Sequence, residues 1–292
     1  MLVETKTYLT PLLYKKRPCG QLLKWVGNKY RFAEYIVKLF PIKYNRYLEP
    51  FVGTGAVLGT FSPKQGIAGD SLKPLIDFWN LVKDNPLKLI KSYHYDISRY
   101  NKNRKEVYYE IRDRFNANHN PSDLLFLSRT CYGGVMRFRK VDGFMSTPMG
   151  VHKPIPPHSF EKRLRDWRKR IINTSFFLQD YKETLSLVEE NDIIYCDPPY
   201  IDSQKILYGA QSFKLKDLFE EIIQAKENGA YVALSIDGSK KSKKELIDIK
   251  LPPDLFEREL LIDCGSSMLR RFQMNGENMS SEMVKDRLLL TW

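Results

Sequence analysis

The stretch Asp197-Pro198-Pro199-Tyr200 has the residue types needed to hold an amino group for reaction. It follows the apolar run Ile193-Ile194-Tyr195-Cys196, which reads as a buried strand, so it sits at a strand's carboxyl end, where α/β proteins place ligands. Two successive prolines stiffen the backbone and remove two N–H donors. The Pro198 carbonyl and the Asp197 carboxylate then present acceptors at fixed positions. An amino group on a purine offers two N–H donors, and its lone pair is delocalised into the ring. Two acceptors gripping those hydrogens draw the nitrogen towards tetrahedral geometry and free the lone pair for attack. Tyr200 supplies a flat face on which the base can stack. The competing reading is a proline-rich turn with a capping Asp.

A second constellation lies upstream. In Glu49-Pro50-Phe51-Val52-Gly53-Thr54-Gly55 the two glycines follow a strand pattern and open a helix. Glycine permits positive φ and close approach of a ligand to the backbone. The pattern is not G-x-G-x-x-G, so the pyrophosphate fingerprint is incomplete. S-adenosylmethionine carries no phosphate, and its ammonium and sulfonium groups suit Glu49. Asp70 ends the next strand, where a carboxylate can accept both hydroxyls of a ribose. The alternative for Asp70 is a turn or helix cap.

These residues need a scaffold of alternating strands and helices. Strand patterns occur at the start of YNRYLEPFVGTGAVLGTF and in KQGIAGD, TSFFLQD, NDIIYC, AYVALSID, FERELLID and VKDRLLLTW. Between them LKPLIDFWNLVKDN places Leu72, Leu75, Ile76, Trp79 and Val82 on one helical face. KETLSLVEE and LKDLFEEIIQAKENG read as further helices, the latter with a glycine stop. The expected core is a Rossmann-like, seven-stranded, mostly parallel sheet with helices on both faces. Residues 86–173 break the alternation. They are rich in Arg, Lys, Tyr and Asn, with two expected helices near 105–116 and 122–131 and a hairpin turn at Asp142-Gly143. The division is therefore 1–85 and 174–292 as the core, with 86–173 as an inserted module.

The chain has 292 residues, 42% hydrophobic and 28% charged, the profile of an ordinary globular protein. A net charge of +12 favours a polyanionic partner such as nucleic acid, or serves solubility alone. The four cysteines are widely spaced and no zinc-ligand pattern links them to the four histidines, so free thiols and no metal are expected. No run of about 18 apolar residues and no secretory layout is present, which points to the cytoplasm and to no membrane partner. The basic run of Lys162, Arg163, Arg165, Arg168, Lys169 and Arg170, and the one at 240–244, face either phosphate or solvent.

Taken in order, the motifs resemble the Dam-type (D12 class, alpha group) DNA adenine-N6 methyltransferases, which include restriction-modification enzymes. Lys24-Trp25-Val26-Gly27-Asn28-Lys29 is similar to the family's K-W-x-G-G-K, and the likeness continues through Glu49–Gly55, Asp70, Gln179-Asp180-Tyr181, Asp197–Tyr200 and the closing SSEMVKDRLLLTW. Arg129-Thr130-Cys131-Tyr132-Gly133-Gly134-Val135-Met136-Arg137-Phe138 resembles R-x-x-Y/F-N-G-x-x-R-F/Y. The resemblance implies a class I S-adenosylmethionine methyltransferase core with a target-recognition domain at 86–173. It implies methyl transfer to a flipped-out adenine in a short duplex DNA site. A restriction endonuclease acting separately is a partner some members have.

Carried onto this chain, the resemblance puts Trp25, Lys29, Phe51, Gly53 and Gly55 beside the cofactor, Asp70 on the ribose, and Asp180 with Tyr181 near the adenine ring. Asp197 serves both cofactor and target amine. Lys24 contacts the base pair before the target adenine, and Arg137 is the candidate for a bidentate contact to guanine, the alternative being a phosphate contact. Tyr132 wedges into the stack, Val135 and Thr147 meet a thymine methyl, and Arg129 belongs to the same DNA-reading motif. Two departures stand out: Gly133 replaces a usual Asn and Asn28 a usual Gly. The site read is therefore GATC, GATATC or another built around a G-A step. An RNA adenine methyltransferase and a non-catalytic DNA-binding subunit are the rival readings, with cytosine N4 transfer a minor one.

Overall fold

The computed structural model describes residues 16–139, 141–199, 213–240, 249–266 and 283–292. Their centre is a seven-stranded sheet: β1 (Tyr47–Glu49), β2 (Gly66–Asp70), β3 (Thr174–Leu178), β4 (Ile193–Cys196), β5 (Tyr231–Lys240), β6 (Arg258–Ser266) and β7 (Met283–Leu290). The spatial order is β3-β2-β1-β4-β5-β7-β6. β1 pairs in parallel with β2 and β4, β2 with β3, and β4 with β5. β7 alone runs backwards, antiparallel to β5 and β6. This is the class I methyltransferase arrangement, and the expected seven-stranded, mostly parallel sheet is present.

Strand alternation divides the core into two layers. Tyr47, Ile193, Tyr195, Ala233, Leu288 and Leu290 join the cluster on one face. Leu48, Ile194, Cys196, Val232, Leu234 and Leu289 join the cluster on the other. The helices supply the outer walls: α1 (Ala33–Lys38), α2 (Ala56–Phe61), α3 (Lys73–Asp84), α8 (Tyr181–Leu185) and α9 (Leu215–Glu227). In α9, Leu215, Leu218, Phe219, Ile222 and Ala225 are the buried stripe, and Gly229 at φ 81° ends the helix. The helix expected over KETLSLVEE shrinks to the five residues of α8.

In the 86–173 stretch the described residues hold four helices rather than two: α4 (Pro86–Lys102), α5 (Arg104–Asn118), α6 (Pro121–Thr130) and α7 (Pro157–Ile171). Their starts are written plainly. Asn85, Asn103 and Asn120 each accept from a backbone N–H of the first turn, and Pro86 and Pro121 occupy the first helical position. α4 and α7 escaped the periodicity reading because Lys, Arg and Tyr crowd them, leaving narrow stripes such as Phe160, Leu164, Trp167 and Ile171. α7 packs Trp167 against Trp79 of α3, with ring centroids 5.2 Å apart. After α6 come a 3-10 turn at Tyr132–Gly134 and the expected hairpin turn. The turn is closed by hydrogen bonds from Arg139 N to Phe144 O and from Gly143 N to Arg139 O, each 2.9 Å. Its arms meet in the isolated bridges Phe138 with Met145 and Cys131 with Met149 and in the hydrogen bond from Ser146 N to Arg137 O.

Candidate active site

The turn from β1 into α2 is shaped by its glycines: Gly53 has φ 45° and Gly55 has φ 59°. A Cβ on Gly55 would stand 3.1 Å from the Trp79 ring. Trp79 in turn donates its indole N–H to the Gly53 carbonyl at 2.9 Å. Asp70 locks the turn from the end of β2, its carboxylate accepting from Gly53 N at 3.1 Å and Leu72 N at 3.0 Å. Burial raises the Asp70 pKa, and the N–H groups of Leu72 and Gly53 oppose that rise.

These elements wall a cleft of about 750 Å³. Of the residues expected beside a cofactor, Trp25, Lys29, Glu49, Phe51, Gly53, Asp70, Asp180, Tyr181 and Asp197 line it together; Gly55 stays behind the wall, shaping the turn. Phe51 and Tyr181 stack at 5.2 Å with 23° between their planes, and Phe213, which sequence reasoning missed, stands edge-on to both. Asp180 caps α8 by accepting from Lys182 N at 2.9 Å. Asn28, the unusual residue of the first loop, is built in: its Nδ2 donates to Trp25 O at 2.7 Å, and its Oδ1 accepts from Gln21 at 2.6 Å.

Charge in the cleft is opposite to that of the chain. Glu49, Asp70, Asp180, Asp197 and Asp217 line it against Lys29 and Lys182. Glu49 is 2% exposed and receives the Tyr47 hydroxyl at 2.5 Å. Burial pushes its pKa to about 8, with Asp197 raising it further and the Tyr47 hydrogen bond working against the rise. A lining of this kind repels phosphates and suits a ligand with ammonium and sulfonium charges, an adenine ring and a ribose; the residues fit S-adenosylmethionine. The Asp197 carboxylate, at the end of β4, meets the Lys29 ammonium at 2.8 Å. Pro198 is buried and Pro199 reaches the cleft. Tyr200 lies outside the described residues, as does most of the 240–244 basic run.

The DNA-reading candidates divide. Tyr132 and Arg137 are exposed. Lys24 is half-buried, its stem laid against Gly134, where a Cβ would come within 2.6 Å. Three others are placed largely out of solvent. Arg129 is held inside: its Nε donates to Leu22 O at 2.7 Å and its Nη2 to Gln21 O, and burial brings its pKa down to about 10. Val135 is 1% exposed and Thr147 3% exposed, so neither presents a methyl to a partner here. The Thr147 hydroxyl instead donates to Val135 O and accepts from Arg137 N, pinning the strand that carries Arg137. Asn116 clamps the same hairpin, accepting from Met145 N at 2.6 Å and donating to Met145 O at 3.2 Å. No sequence signal distinguished Asn116 from its neighbours. Three of the four α7 arginines donate to backbone carbonyls, Arg163 to Gln21 O, Arg168 to Lys83 O, and Arg170 to Lys16 O and Gly59 O, while Arg165 stays exposed beside Glu161. Among the described residues no cluster could hold a metal ion, and no helix is long and apolar enough to cross a membrane.

This sheet order with a carboxylate-lined cleft at the β1, β2 and β4 ends defines a class I methyltransferase. The sequence profile of the D12 class N6 adenine-specific DNA methyltransferases matches residues 25–252. A DNA adenine methylase of Haemophilus influenzae is 34% identical over 70% of this chain and 71% of its own. One from Vibrio cholerae is 31% identical over 73% and 79%, and one from Escherichia coli 30% identical over 61% and 64%. The chain belongs to the D12 class of N6 adenine-specific DNA methyltransferases, enzymes that depend on S-adenosylmethionine.

Proposed function

We propose that the cleft binds S-adenosylmethionine and that Asp197 presents an unpaired adenine's amine to it, at a duplex site with guanine before the target. The observation that carries this reading is the position of Asp197, which lines the acidic cleft and opens the Asp-Pro-Pro turn at the end of β4. S-adenosylmethionine, when bound, supplies an electrophilic methyl on a sulfonium centre. Asp70 takes the ribose hydroxyls, the adenine packs beside the Phe51–Tyr181 stack with Asp180 near it, and Glu49 faces the ammonium. Trp25 and Lys29 close the methionine end.

On the substrate side, the amine of a paired adenine is engaged with thymine, so the base must leave the helix first. Tyr132 fills the gap, while Arg137 and Lys24 offer donors to guanine O6 and N7. Asp197 and the Pro198 carbonyl accept the two amine hydrogens, which localises the lone pair on nitrogen. The exposed hairpin favours duplex DNA over RNA, whose major groove is too deep and narrow for it.

The test is sequencing of modified bases in DNA from cells expressing the chain, beside cells expressing Asp197→Ala. N6-methyladenine in one short motif, absent with the variant, supports the reading. Near-normal methylation by Asp197→Ala, or methylation of hairpin RNA in preference to duplex DNA, overturns it.

A further inference from the structure

In the hairpin after α6 a side chain stands where a regular ladder would use backbone. Ser146 N donates across the arms to Arg137 O at 2.9 Å. In a regular antiparallel pair the facing residue's carbonyl would accept from Arg137 N in return. Here Arg137 N donates to the Thr147 hydroxyl at 2.9 Å, and that hydroxyl donates to Val135 O at 2.8 Å. One O–H and one lone pair thus hold both ends of the run Val135–Arg137. The returning arm rests in turn on α5. Tyr108, Arg112 and Asn116 recur at every fourth residue and share one side of that helix. The Tyr108 hydroxyl donates to Thr147 O at 2.7 Å, and the Arg112 guanidinium lies 5.4 Å from the centre of the Phe144 ring. Asn116 bonds to both the N–H and the carbonyl of Met145. This side of α5 is a template for residues 144–147, and Thr147 passes the placement across to Arg137.

Placement matters here because the exposed end of this arm carries the guanidinium. A bidentate contact to a base holds only while the donor stays within about 0.5 Å of its place, and it is worth on the order of tenfold to a hundredfold in discrimination. Resting on Arg137 as the contact to guanine, we propose that Thr147 and Asn116 are positioning residues for specificity. They act through the backbone of the hairpin, which fixes where Arg137 meets the base pair before the target adenine. Without the Thr147 hydroxyl, Arg137 N and Val135 O lose the group that joins them. The arm then settles in more than one place, the guanine contact weakens, and other bases at that position are penalised less.

The experiment uses the full chain and two duplex oligonucleotides. One bears its methylated motif, and in the other the base pair before the target adenine is changed. The readout is the ratio of kcat/KM between them, which a residue that only adds stability does not move. Thr147→Val keeps the shape of the side chain and removes the hydroxyl; Thr147→Ser keeps the hydroxyl. The expected result for Thr147→Val is a ratio down at least about fivefold, with Thr147→Ser within about twofold of wild type. Asn116→Ala lowers the ratio in the same direction by at least about twofold. An unchanged ratio in Thr147→Val, with only a lowered Tm, would overturn the inference. So would an equal loss in Thr147→Ser, since the hydroxyl is kept. Should Thr147→Val fail to fold, Asn116→Ala is judged by the same ratio, and an unchanged value there overturns the inference. Arg137→Ala separates the two claims. If it loses the discrimination and Thr147→Val keeps it, only this inference falls. If Arg137→Ala keeps full discrimination, the guanine contact of the proposed function falls, and this inference with it.

Discussion

The cofactor cleft and the helical module spend their charges in opposite ways. The cleft gathers carboxylates, and the ligand it fits brings the cations. The module is rich in arginine, yet its guanidiniums go largely to its own chain. Arg129 and Arg163 bond to carbonyls near residue 21, and Arg104 reaches the carbonyls of Gly150, Val151 and His152. Arg114 is shared between Asp96 and Asp123. A guanidinium has five donors in a rigid fork, so it can close a loop that lacks a hydrogen-bonded strand partner. The lesson is that a charge of +12 overstates the DNA-facing charge, because part of it is structural glue between the module and the first loop.

The largest effect that would break this contrast lies in the cleft. Asp197→Ala should lower methyl transfer by at least about a thousandfold, as removal of a group acting only in the transition state does. Its calorimetric affinity for S-adenosylmethionine should change far less, while its melting temperature should fall because the buried Lys29 ammonium loses its 2.8 Å partner. In the module, Arg129→Ala should destabilise the chain by about 2–3 kcal/mol in urea unfolding, since the buried Leu22 carbonyl loses its donor and Gln21 O is left with Arg163 alone. Arg137→Ala, on the same segment but exposed, should leave stability unchanged and relax the methylated motif at the base before the adenine. If the two variants behave alike, the division between glue and reader is wrong.

Acid and base sharpen the comparison further. Below pH 8 Glu49 holds a proton that a cationic ligand must displace, so S-adenosylmethionine affinity should fall on acidification by up to about tenfold per pH unit. The stability of the ligand-free chain has the opposite sign. The folded state keeps this proton after the unfolded chain releases it near 4.5, so Glu49's contribution is full below that value and lost as pH rises towards 8. An affinity independent of pH between 6 and 8 would remove Glu49 from the ligand's partners. The smallest effect is on α7: Arg165→Ala breaks only an exposed pair with Glu161 and should shift stability by under about 0.5 kcal/mol.

Much of the catalytic half was legible from local pattern. The alternation of β4, the glycines of the first turn and Asp70 at the end of β2 are adjacent in sequence to what they serve. A strand's carboxyl end is also where such folds put ligands. The recognition half was legible in its motif order and hairpin, but not in which side chains face outwards. Arg129, Val135 and Thr147 share a local segment with Arg137, and only packing separates the exposed side chains from the enclosed ones. Two of its four helices were hidden by polar composition, although Asn-Pro at 85–86 marked one of their starts.

By itself, then, the sequence determined the sheet, the glycine turn after β1, the Asp-Pro-Pro turn after β4 and the family, because each depends on residues close together along the chain. Only the tertiary structure decided that Asp286, from the closing strand, would share Lys29 with Asp197. It alone decided, too, that the arginines beside the hairpin would bond inwards. These pairings span more than a hundred residues, and no local periodicity or propensity encodes a partner that only the folded sheet brings within reach.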